Sequence, residues 1–91
     1  MARRGAPPQV AFSAEGWEDY VYWSATDRRM LERINALIAA ILRDAFRGIG
    51  KPEPLKLALA GYWSRRSDQE HRLVYMFEDG RLTIIPCRYR Y

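Results

Sequence analysis

The segment Gly61–Tyr75 constrains the fold most. Tyr62-Trp63-Ser64-Arg65-Arg66 and His71-Arg72-Leu73-Val74-Tyr75 are rich in aromatic and β-branched residues, and Ser67-Asp68-Gln69-Glu70 separates them as a polar break. That pattern predicts two strands joined by a turn. A strand alternates its faces with period two. Arg66 therefore shares a face with Tyr62 and Ser64, and Arg65 shares one with Trp63. On the second strand Arg72, Val74 and Met76 lie on one side; His71, Leu73, Tyr75 and Phe77 lie on the other. A hairpin of this kind should be laid against a core, yet it carries three arginines and the only histidine. Guanidinium groups planted on strands rather than loops suggest a preorganised anion site.

The remaining chain supplies what the hairpin packs on. Residues 1–8 show no periodicity and read as a loose basic tail. Gln9–Phe12 fits a short first strand, and Ser13 fits a helix N-cap, with Glu15 and Glu18 in turns where the helix dipole favours acids. A short aromatic helix through Trp17, Tyr20, Val21 and Trp23 follows. Thr26 or Asp27 restarts a second helix. There Met30, Leu31, Ile34, Leu37, Ile38, Ile41 and Leu42 recur at three- and four-residue spacings, an amphipathic face. This helix is expected to end near Ala45–Arg47, with Gly48 as the stop signal.

Gly48, Gly50, Pro52 and Pro54 make residues 48–56 a loop, barred from regular helix or a central strand. Pro54 restricts the backbone of Glu53, which stands between Lys51 and Lys56. After the hairpin, Glu78-Asp79-Gly80 signals another turn. A last strand runs from Arg81 to about Tyr91, with Pro86 marking an edge or a bulge. The order β-α-α-β-β-β predicts an α+β fold, with both helices on one face of a mainly antiparallel sheet, in one domain over residues 9–91.

Composition bounds the partners. A chain of 91 residues that is 48% apolar can build a core without staples. A lone Cys87 excludes an intramolecular disulfide and a cysteine-based metal site. With no secretory leader pattern and no apolar run near the roughly 18 residues of a membrane span, a reducing cytoplasm is the expected compartment. A formal charge of +4 favours an acidic partner, nucleic acid or protein.

The polar candidates for chemistry are Glu53, Lys56, Arg65, Arg66, His71, Arg72, Arg88, Arg90 and Tyr91. One reaction needs such a set and no metal or cofactor. An RNA phosphodiester is cut by its own 2′-hydroxyl when a base takes the hydroxyl proton, cations stabilise the phosphorane and an acid protonates the leaving 5′-oxygen. Arginine suits the phosphorane because its planar fork donates two parallel hydrogen bonds. Plainer readings exist for each residue. Strand arginines are usually solvated, and Glu53 between lysines fits a weak surface ion pair. His71 shares its face with Leu73, Tyr75 and Phe77, which favours a packed structural role. The aromatics of the first helix read as core rather than stacking platforms. Taken alone, these residues describe a small basic α+β domain that binds nucleic acid.

Several motifs in order extend that reading. Trp17-Glu18-Asp19-Tyr20, Tyr22-Trp23, Lys51-Pro52-Glu53-Pro54-Leu55-Lys56, Gly61-Tyr62-Trp63-Ser64-Arg65-Arg66, His71-Arg72-Leu73-Val74-Tyr75 and Cys87-Arg88-Tyr89-Arg90-Tyr91 resemble the YoeB (Txe/YoeB) toxins of the RelE-like superfamily. The resemblance spans about Val10 to Tyr91. It implies a type II toxin: a ribosome-dependent endoribonuclease, or mRNA interferase, that cleaves mRNA in the ribosomal A site and inhibits translation. It also implies a YefM (Phd/YefM) antitoxin, operator DNA bound through the toxin–antitoxin complex, and a homodimer. By the same resemblance the catalytic glutamate falls on Glu53, the phosphate-stabilising arginine on Arg72, the RNA-binding cations on Lys56, Arg66 and Arg65, and the terminal tyrosine on Tyr91. One position departs: the family's next-to-last histidine, its general acid, is Arg90 here. An arginine stabilises charge but is a poor proton donor. The alternative expectation is thus a catalytically weak module that blocks translation by occlusion of the ribosome.

Overall fold

The computed structural model describes residues 7–90, with Arg90 described through its backbone alone. Most of the expected basic tail, and Tyr91, therefore lie outside the described residues. The elements are β1 (Gln9–Phe12), α1 (Ala14–Thr26), α2 (Arg28–Arg43), β2 (Glu53–Pro54), a 3-10 turn (Leu57–Leu59), β3 (Trp63–Arg66), β4 (His71–Glu78), β5 (Arg81–Ile84) and β6 (Tyr89–Arg90).

Local chemistry sets the helix boundaries. Ser13 has extended backbone, and its hydroxyl accepts the Gly16 N–H, satisfying one orphan donor of α1. Asp27 serves both helices. Its own N–H donates to the Trp23 carbonyl and closes α1, while its carboxylate accepts the Met30 N–H and caps α2. The second helix stops earlier than its apolar spacing predicts. Asp44 is already extended, because carbonyls beyond Arg43 are drawn to a buried partner described below. The first-helix aromatics divide. Trp23 is buried, whereas Trp17 is half-exposed and packs on Phe12 and Tyr20, and Tyr22 is exposed, so the expected core role fails for Trp17 and Tyr22.

The sheet order is β1-β5-β4-β3-β2, with β6 also against β4. Among the described residues β1 and β5 pair in parallel and the other pairings are antiparallel. The expected last strand is split. Ile84 lies opposite Tyr75 and Tyr89 opposite Arg72, so β5 and β6 line one side of β4. Between them the Ile85 N–H donates to the Val74 carbonyl while the Val74 N–H donates to the Pro86 carbonyl. Two residues thus face one, a bulge, and Pro86 occupies it where no N–H is asked of it. In the predicted loop only Glu53–Pro54 forms a strand, at the sheet edge beside β3.

The core lies between the helices and one sheet face. Ile34, Leu37 and Ile41 of α2 meet Leu73, Tyr75, Leu82 and Ile84, all fully buried. The opposite face of the central strands presents Ser64, Arg66, Arg72 and Val74 away from the helices. Among the described residues no helix is long and apolar enough to cross a membrane.

Candidate active site

Strand register assembles the site on that opposite face. Arg66 lies directly across from Arg72, Ser64 across from Val74, and Glu53 across from Ser64. Glu53 and Arg72 therefore flank Ser64 from either side. The Arg72 Nη1 donates to the Glu53 Oε1 at 3.1 Å and to the Ser64 Oγ at 2.8 Å. Its side chain is 6% exposed, against 52% for Glu53. A buried hydroxyl thus aims a nearly buried guanidinium at a carboxylate that opens to solvent.

The loop carrying Glu53 is fastened on both sides. Before it, the Gly50 carbonyl accepts the Arg66 N–H; after it, the Leu55 N–H donates to the Tyr62 carbonyl at 2.8 Å. Gly50 has φ +86°, and a Cβ there would press on Leu37 and Arg65, so a side chain would pry the loop off the core. Arg66 is exposed beside Arg72. Lys56 is exposed, and with Glu53, Pro54 and Leu55 it lines a hollow of about 460 Å³. Glu53, Arg66 and Arg72 are thus brought together, with Lys56 at the rim. Two guanidinium groups beside a carboxylate can bind a phosphodiester through charge-assisted hydrogen bonds while a base stands next to it.

Arg65 corrects the expectation of an RNA contact. It is fully buried on the helix-facing side. Its Nη2 donates to the carbonyls of Asp44 and Arg47, both at 2.8 Å, and its Nη1 to Ile49 at 3.1 Å. Its Nε donates to the Tyr75 hydroxyl, which in turn donates to the Ala45 carbonyl. Burial raises the Tyr75 pKa above its ordinary value, with the Arg65 hydrogen bond and charge opposing. Alternation had already put Arg65 on the face of Trp63. The unpaired carbonyls after α2 need donors, and Arg65 supplies them.

His71 is a packed structural residue. Its ring stands edge-on to Trp23 at 5.1 Å, and Nδ1 lies 3.2 Å from the Asp68 carboxylate. Burial pushes the Asp68 carboxyl up, but the backbone N–H groups of His71 and Glu70 and the His71 ring outweigh it and hold the pKa below 3.8. Arg88 pairs with Asp19 and lies 4.0 Å over the Tyr22 ring. Burial first, and then the Asp19 charge, push the Cys87 thiol up to about 12, which leaves it no nucleophile. The Arg90 backbone pairs with His71, one step from Arg72. Tyr91 lies outside the described residues. Sequence reasoning passed over Ser64 as a functional residue, although strand alternation set it on the face of Arg66.

The model of the YoeB-like toxin of bacterial type II toxin-antitoxin systems matches residues 12–91. The chain belongs to this family. Toxin YoeB of Streptomyces coelicolor is 57% identical over 83 residues, covering 91% of this chain and 99% of that protein. Toxin YoeB of Escherichia coli K12 is 52% identical with the same coverage. Among solved structures, a YoeB/ParE toxin from Agrobacterium tumefaciens superposes with a TM-score of 0.89 at 48% identity, over 91% of this chain and 99% of that one. A chain in the heterotetrameric YoeB-YefM complex from Staphylococcus aureus gives 0.87 at 46% identity, over 94% of this chain and 100% of that one. YafQ from Escherichia coli, at 16% identity, shares the fold.

Proposed function

We propose that this toxin is a metal-independent, ribosome-dependent endoribonuclease that cleaves mRNA in the ribosomal A site and so stops translation. The observation that carries the reading is the Glu53–Arg72 pair at 3.1 Å, its carboxylate open to solvent, with Arg66 alongside. The RNA supplies its own nucleophile. An incoming phosphate takes over Arg72 and releases the Glu53 carboxylate, which accepts the 2′-hydroxyl proton. The 2′-oxygen bonds to phosphorus, and Arg72 and Arg66 hold the non-bridging oxygens of the phosphorane. Ser64 keeps Arg72 aimed. The 5′-oxygen leaves with a proton from Tyr91 or water, Arg90 stabilising its charge, and a 2′,3′-cyclic phosphate remains. Lys56 positions the backbone.

Antitoxin and dimer follow from relatives. A Staphylococcus aureus relative forms a complex with YefM, and a YoeB from that organism is a dimer. We assign the present chain a YefM-type antitoxin, a homodimeric state, operator DNA contact through the toxin–antitoxin complex, and a cytoplasmic site of action at the ribosome. Purified toxin added to translating ribosomes should give discrete cuts within A-site codons without added metal. Intact mRNA with arrested translation would instead support occlusion, the reading that Arg90 in the histidine position favours. An Arg90→His variant that cleaves far better than the native chain would point the same way.

A further inference from the structure

Beyond the bulge at Ile85–Pro86 the described part of β6 is two residues, Tyr89 opposite Arg72 and Arg90 opposite His71. Yet the nuclease reading needs this segment fixed beside Arg72. The buried face of α1 meets that need. Asp19 is 9% exposed; its Oδ2 accepts the N–H groups of Cys87 at 3.0 Å and Arg88 at 3.1 Å, and its Oδ1 accepts the Arg88 Nε at 3.2 Å. One turn on, the Trp23 indole N–H donates to the Cys87 carbonyl at 2.9 Å. One turn and a half before Asp19, the Ser13 hydroxyl donates to the Ile85 carbonyl at 3.0 Å. Gly16, between them, lets the helix come so close that a Cβ would collide with the carbonyls of Ile84 and Ile85.

We infer that Asp19 is a positioning residue for cleavage: it clamps Cys87–Arg88 and thereby sets Tyr89 opposite Arg72 and the Arg90 backbone opposite His71. The inference rests on the reading that the chain end acts at the leaving oxygen. A carboxylate fits the task because it is acceptor-only and meets three donors at once. An asparagine would turn its amide N–H groups toward at least one of those donors. Arg88 offsets the buried charge, and its guanidinium is steadied over Tyr22. The clamp touches neither Glu53 nor Ser64, so it acts through the chain end alone.

The test is Asp19→Asn in the full-length chain, read in two ways. Amide hydrogen exchange should speed up over residues 85–90 while β4 and α2 keep their protection. Single-turnover mRNA cleavage on ribosomes should fall about 10- to 100-fold with half-saturation unchanged, since small displacements of a reacting group cost that much. In a Tyr91→Phe background the same substitution should cost little more, because both act through one segment. Unchanged exchange over residues 85–90, or losses that multiply fully in the double variant, would overturn the inference. Where Asp19→Asn does not fold, Trp23→Phe removes the Cys87 carbonyl's donor, together with some core packing, and should still speed exchange over residues 85–90. A native chain that leaves mRNA intact would sink the nuclease reading, and the exchange data would then decide the clamp alone.

Discussion

Arg65 and Arg72 stand on neighbouring strands and have opposite partners. Among the described residues Arg72 donates to the side chains of Glu53 and Ser64, and Glu53 is open to solvent, so a phosphate can replace it. Arg65 donates to three backbone carbonyls and a buried hydroxyl, which nothing can replace. Arg72→Ala should therefore lower the cleavage rate by about 10²–10³, the usual loss of a transition-state donor, and more than Lys56→Ala does. The reverse order in single-turnover assays would mean the roles are misassigned. Arg65→Met should leave several carbonyls short of donors and cost on the order of 2–4 kcal/mol in denaturant unfolding. An unchanged midpoint would contradict its structural role.

The elements were legible where their signals are local. Ser13, Asp27 and the three-four apolar spacing mark helix starts that the structure keeps, and Pro86 marks the bulge. The end of α2 was not legible, because its release depends on Arg65, distant in sequence and usually a surface residue type. Ser64 and Asp19 were missed for the same reason: their partners are set by strand register and by helix-on-sheet contact. Gly16 tests the α1 contact directly. Alanine is the better helix former by up to about 1 kcal/mol. Gly16→Ala should nevertheless destabilise the protein by about 1–3 kcal/mol, because the helix must back away from Ile84 and Ile85. A thermal melt that rises instead would refute the close approach.

Across the fold, a two-helix layer covers one sheet face while Ser64, Arg66 and Arg72 point to the other, an arrangement the alternation of the hairpin already implied. What alternation alone did not disclose is that the hairpin turn is itself a stabilising device. Asp68 has a folded pKa below its ordinary 3.8, so its contribution is present above that value and is lost as pH falls through the folded pKa. Its carboxylate is 44% exposed, which keeps the effect under about 1 kcal/mol after screening. The stability gap between the native chain and Asp68→Ala should narrow as pH falls below 3.8; a gap that widens on acidification would rule out a stabilising Asp68 carboxylate. On the reading proposed above, Glu53 is the base for attack by the RNA's own hydroxyl. The most direct test of that role is to map the mRNA ends formed on translating ribosomes by the native chain and by Glu53→Ala. The native chain should give A-site cuts ending in a 2′,3′-cyclic phosphate, and Glu53→Ala should lose at least about a hundredfold. Undiminished cutting by Glu53→Ala, or no cyclic phosphate at the ends, would contradict it.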